Sequence, residues 1–126
     1  MPGPLRNVEK PHSRARRGPA GLPGGPRALV SLPAAGCDLP PPAMPKGRSW
    51  SPAERSRWRE LWTSPQAVQW DESASLTVAL VIVYEALVLA DTASAWQAQE
   101  LRHASASLGL TPASMAALGW RIEGPG

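Results

Sequence analysis

A chain of 126 residues holds one small domain at most, and its single cysteine, Cys37, excludes an internal disulfide framework. The formal charge of +3 is the sum of two unlike parts. Residues 1–50 carry eight basic side chains against Glu9 and Asp38, a net of +6, while residues 51–126 carry five arginines against eight acids, a net of −3. The basic character therefore belongs to the first part alone, and a basic tail of this kind points to a polyanionic partner.

That first part holds 11 of the 15 prolines and 7 of the 11 glycines. Such a composition buries too little apolar surface to offset chain entropy, so residues 1–48 are expected to form a disordered arm. The stretch GPAGLPGGP at 18–26 reads as three Gly-led triplets, far too few for a collagen helix. The opening MPGPLRNVEK lacks the apolar run of a signal peptide, which gives a cytoplasmic expectation. Arg6, Lys10, Arg14, Arg16, Arg17 and Arg27 are the arm's candidate phosphate contacts.

Residues 49–126 are expected to form a small helical oligomerisation domain. In SWSPAERSRWRELWTSPQAVQW, residues 49–70, Ser51 and Glu54 are spaced as a capping box with Pro52 at the first helical position. Trp58, Leu61 and Trp62 fall on one face of the helix that follows, and a Trp face of this kind reads as core rather than as a base-stacking platform. Arg55 and Arg59 stand at i, i+4, where like charges repel mildly, and a phosphate or an acid of a neighbouring subunit would relieve them. The equal alternative is a solvated face; under the first reading they join the candidate phosphate contacts. Ser64-Pro65 starts a second short helix ending near Trp70, but PQAVQWDE has no basic residue and two acids. As a recognition helix for the major groove it is poorly equipped.

The run LTVALVIVYEALVLA, residues 76–90, is apolar enough to suggest a membrane span. At about fifteen residues with Glu85 inside it, it is shorter than the roughly 20 a span requires, and it reads as a buried helix over about 72–90. After a turn at TASA, Ser94 and Gln97 are spaced as a second capping box. The next helix runs to Leu108 with Ala98, Leu101, Ala104 and Leu108 along one stripe. Two antiparallel helices and a short terminal one cover only part of so apolar a helix. The remaining side is assigned to further copies of the chain, in preference to burial under tryptophans of the same subunit, with Leu76, Leu80, Val83 and Leu87 as the candidate interface.

LGLTPASMAALGW, residues 108–120, places a stop, a start and another stop within thirteen residues. Gly109 reads as the left-handed residue after a helix, Thr111 as an N-cap ahead of Pro112, and Gly119 as a second stop. A helix of seven residues does not hold alone in water, so it must dock. The fold class expected is all-α: a disordered arm, two short helices, a long antiparallel hairpin and a short C-terminal helix.

No catalytic constellation is evident. The pattern GxxxxGK[ST] is absent, and His12, His103 and Cys37 are too few and too scattered for a zinc site. Glu100 and His103 share a helix face without a nucleophile nearby and read as a surface pair. The expectation is a protein that is not an enzyme and uses no cofactor or metal.

The segments GCDLPPPAMPKGRSW at 36–50, LWTSPQAVQW at 61–70, the apolar helix with Tyr84-Glu85, and LGLTPASMAALGWRI at 108–122 together resemble the small terminase subunits of tailed bacteriophages that infect actinobacteria. The resemblance covers most of residues 31–122. It implies a non-enzymatic packaging factor acting in the host cytoplasm. Such a factor assembles into rings, binds double-stranded viral DNA and delivers it to the large terminase subunit, which holds the ATPase and nuclease. Many such proteins bind DNA through a helix-turn-helix, but the acidic second helix here departs from that, which leaves the arm as the preferred carrier. Two alternatives are an assembly adaptor that never touches DNA and a small DNA-binding regulator unrelated to packaging.

Overall fold

The computed structural model describes residues 29–124. Four helices form its body: α1 (Pro52–Trp62), α2 (Ser75–Leu89), α3 (Ala95–Ser107) and α4 (Pro112–Leu118). Strands β1 (Val30–Leu32) and β2 (Trp120–Ile122) pair in parallel, in the register Val30↔Trp120 through Leu32↔Ile122. The expectation of an all-α fold is thus corrected by a small sheet that joins the two ends of the described chain.

The helix starts follow from local chemistry. Ser51 accepts from the amide of Glu54 while Glu54 accepts from the amide of Ser51, and Ser94 and Gln97 repeat the arrangement ahead of α3. At α4 the box is closed by Ser114 in place of an acid, with Thr111 as cap and Pro112 in the first turn. The expected second short helix is present as a 3₁₀ turn, Pro65–Gln69.

The core lies where α1, the 3₁₀ turn, α2 and α3 meet. Trp62 is fully buried, 5.7 Å from the Trp58 ring and 5.2 Å from that of Trp70, the second contact edge-on. Val78, Val81 and Ile82 of α2 and Ala104 and Leu108 at the end of α3 complete this cluster, with Leu101 packed against it. The Trp70 indole N–H donates to the Leu108 carbonyl at 3.0 Å, satisfying a helix-end acceptor that a buried terminus would otherwise strand.

Only one side of α2 is covered. Val78, Ala79, Val81 and Ile82 are buried, whereas Leu76 is 65% and Leu80 36% exposed, and Leu89 is also open. With the 3₁₀ turn Glu72–Ala74 ahead of it, the helical run Glu72–Leu89 reaches 18 residues and is apolar enough, by length and composition, to cross a membrane. The run is longer than the fifteen residues expected, so length alone does not exclude a span. Within the fold, Glu85 is gripped by Arg57 of α1 and the Val78–Ile82 side faces the tryptophans.

Helix α2 ends without a glycine. Asp91 takes a left-handed φ of 60°, its N–H reaching the Val88 carbonyl at 3.0 Å and that of Thr92 the Leu87 carbonyl at 2.9 Å. A carboxylate at a helix C-terminus also faces the negative end of the dipole. Replacing Asp91→Gly removes both penalties and is expected to raise unfolding stability by about 0.5–1 kcal/mol, read by urea denaturation. An unchanged or lower midpoint would show that the Asp91 side chain compensates locally.

Residues 29–48, expected to belong to the disordered arm, pack on the helices. Leu32 is fully buried, Cys37 donates its N–H to the Thr63 carbonyl at 3.0 Å, and the chain continues along α1 to Trp50. Gly36 is required there: it has a φ of 90°, and a Cβ would overlap the Thr63 carbonyl. The boundary expected at 48/49 therefore falls inside packed chain. Residues 1–28 lie outside the described residues.

Candidate functional site

Helix α1 has an inner and an outer face. Trp58, Leu61 and Trp62 turn inward, and Arg55 and Arg59, one turn apart, remain exposed. The segment from Pro40 to Pro45 runs beside them. Its prolines fix φ and remove amide donors, so most of its backbone needs only its carbonyls satisfied. Two of those carbonyls are used: Pro42 accepts from the Trp58 indole at 2.7 Å and Pro45 from the Trp50 indole at 2.9 Å. The result is a groove of about 470 Å³ lined by Pro41, Pro42, Ala43, Met44, Trp50 and Trp58, with Arg55 and Arg59 also on its walls.

The neighbouring cations are engaged within the fold. Arg57 Nε and a second guanidinium nitrogen hold the two Glu85 carboxylate oxygens at 2.9 and 3.0 Å, and its third nitrogen meets Glu60 at 3.0 Å. The hydrogen bonds to Glu85, and after them Glu60, raise the Arg57 pKa despite its partial burial. Both partners are partly exposed, so this bidentate pair contributes nearer to about 1 kcal/mol than to the value of a buried pair. Arg48 pairs with Glu54 at 3.3 Å and lies 4.5 Å from the Trp50 ring centre. Arg55 and Arg59 form no ion pair among the described residues, and Arg59 has only a long 3.4 Å contact with the Ser56 hydroxyl.

Of the residues singled out as DNA contacts, the structure thus brings Arg55 and Arg59 together. Arg6, Lys10, Arg14, Arg16, Arg17 and Arg27 lie outside the described residues. Of the candidate interface residues, Leu76 and Leu80 are exposed and Val83 and Leu87 half-buried, on the side of α2 away from its core residues. The Trp face is core, as its spacing implied: Trp58, Leu61 and Trp62 are all buried. Glu100 and His103 form the expected surface contact at 3.7 Å. Among the described residues no group of three or more His, Cys, Asp or Glu side chains is placed to share a metal ion. The groove itself escaped the sequence reading, although the triple proline at 40–42 and the tryptophans at 50 and 58 were its visible parts.

What these residues present is the chemistry of surfaces: an arginine-rimmed groove on one helix and an uncovered apolar stripe on another. The family model of the phage terminase small subunit matches residues 1–125, essentially the whole chain, and the protein belongs to that family. Membership implies a role in phage DNA packaging within the infected host cell. Small terminase subunits are generally non-catalytic, the ATPase and nuclease lying in the large subunit. No curated protein and no solved structure matches the chain significantly.

Proposed function

We propose that this chain is a non-catalytic packaging factor. It self-associates through the α2 stripe into a homo-oligomer of ring form, holds double-stranded viral DNA through its N-terminal arginines and presents that DNA to the large terminase subunit. Family membership supports the packaging role. One observation carries the division of labour: residues 1–28 hold six basic side chains against Glu9, a net of +5, whereas residues 29–124 hold seven against nine acids, a net of −2. A polyanion is attracted to the first segment and repelled on average by the second.

The apolar stripe supports self-association, since an exposed row of Leu76 and Leu80 continued by Val83 and Leu87 leaves apolar area in water. Glutamate at both Leu76 and Leu80 is expected to shift the sedimentation mass toward the single chain while leaving helix content unchanged, because neither side chain serves the core. An unchanged mass would remove α2 from the interface. A salt-dependent mobility shift of phage DNA fragments by the native protein tests DNA binding itself. A second reading, an adaptor that meets only the large subunit, draws on the net negative charge of the described residues; stimulation of the large-subunit ATPase without any DNA shift would favour it.

A further inference from the structure

We propose that the groove between α1 and the proline segment docks a short acidic segment of a protein partner, one carrying a large apolar or aromatic side chain between two carboxylates. The proposal goes beyond the packaging reading, and its failure would leave the arm and the α2 stripe untouched. The groove floor asks for an apolar group. Both indole N–H groups are already spent on the Pro42 and Pro45 carbonyls, so the floor is carbon surface, chiefly that of the half-buried Trp50 with the nearly covered Trp58 beneath it, and Met44 adds a flexible thioether. A volume of about 470 Å³ is in the range that receives a bulky side chain with its neighbouring backbone.

The groove wall asks for anions. Arg55 and Arg59 are exposed and without ion-pair partners among the described residues, while Arg48 and Arg57 beside them are engaged. One helical turn separates their Cβ atoms by about 5–6 Å. Carboxylates four apart on a helical segment match that spacing, and an apolar side chain one residue inside either of them lies on the adjoining face, where it meets the floor. Planar guanidiniums grip carboxylates in pairs of hydrogen bonds, and Arg, Met and Trp are the residue types that concentrate in protein–protein contacts.

Charge complementarity argues against the other occupants. The chain's own residues 1–28 carry net +5 and would be repelled by the two arginines. Duplex DNA would gain at most two phosphate contacts here and would draw nothing from an apolar floor. Two contacts correspond to a salt slope of only about 1.8.

The test is a selection of random dodecapeptides, displayed on yeast, against the full-length protein. Three forms are compared: native, Ala43→Trp, and Arg55→Glu combined with Arg59→Glu. Ala43 and both arginines are exposed, so each variant is expected to keep the native circular dichroism and melting temperature. Ala43→Trp fills the groove without changing charge and separates the groove from the basic N-terminal segment, which also attracts acids. On native protein the selection should enrich sequences with Trp, Phe or Leu between two acidic residues. A synthetic peptide of the consensus should bind at least tenfold more weakly to both variants. Three results would overturn the proposal: no such enrichment, equal binding to native and Ala43→Trp protein, or a 20-base-pair duplex weakened by Ala43→Trp as much as the peptide is. The last would make the groove a nucleic-acid contact.

Discussion

Replacing Gly109→Val is expected to destabilise the protein by about 2–5 kcal/mol, a large share of the 5–15 kcal/mol typical of a whole domain. Gly109 has a φ of 74° and closes α3: its N–H reaches the Ala106 carbonyl at 3.1 Å and that of Leu110 the Ser105 carbonyl at 3.0 Å. A β-branched residue is strained in that conformation. The greater problem is space, because a Cβ at this position would overlap the six-membered ring of Trp120. Trp120 opens β2 and pairs with Val30, so displacing it disturbs the sheet and the seat of α4 together.

The two causes are separable. Asn tolerates a left-handed φ but still carries a Cβ, so Gly109→Asn should show mainly the steric part. Adding Trp120→Ala to Gly109→Val should recover part of the loss if the ring is the obstacle. Urea unfolding of the four proteins measures this directly. If assembly is coupled to folding, melting of the Gly109→Val protein should depend on concentration. Unchanged unfolding would mean that α4 and β2 are an appendage, and that their glycine-fenced sequence serves a partner instead.

Neutralising Arg14, Arg16 and Arg17 to Gln should weaken binding to duplex DNA on the order of 10²-fold at 0.15 M salt. It should also reduce the slope of log K against log salt by about 2.7, since each lost phosphate contact removes roughly 0.9. The loss should be uniform across sequences, because contacts of this kind position the duplex without reading bases. A protein beginning at Leu29 is the complementary test. A start at Lys46 would confuse the outcome by deleting β1 and the segment that covers Trp58. If the protein from Leu29 binds DNA as tightly as the full chain with the same slope, the arm is not the carrier, and Arg55 and Arg59 become the leading contacts.

The sequence by itself determined the features whose causes lie within a few residues of one another. The capping boxes at Ser51 and Ser94, the N-cap at Thr111, the glycine stops at 109 and 119, and the inward face of Trp58, Leu61 and Trp62 are all as their spacing implied. Each is a contact across about one helical turn, so its partners are adjacent in the text. The surplus of apolar residues on 76–90 was equally legible, and it persists as the exposed row begun by Leu76 and Leu80.

Only the tertiary structure decided what depends on distant partners. Val30 and Trp120 meet across most of the chain, and three residues are too few for an alternating pattern to announce a strand. Composition averaged over fifty positions merged residues 29–48 with those before them, although proline-rich backbone orders readily where indole N–H groups supply donors to its carbonyls. Arg57, on the same helix as Arg55 and Arg59, is held by Glu85, 28 residues on, a pairing that no local spacing announces. A side chain's type is local, but its availability depends on which distant group reaches it first, and that is a property of the fold.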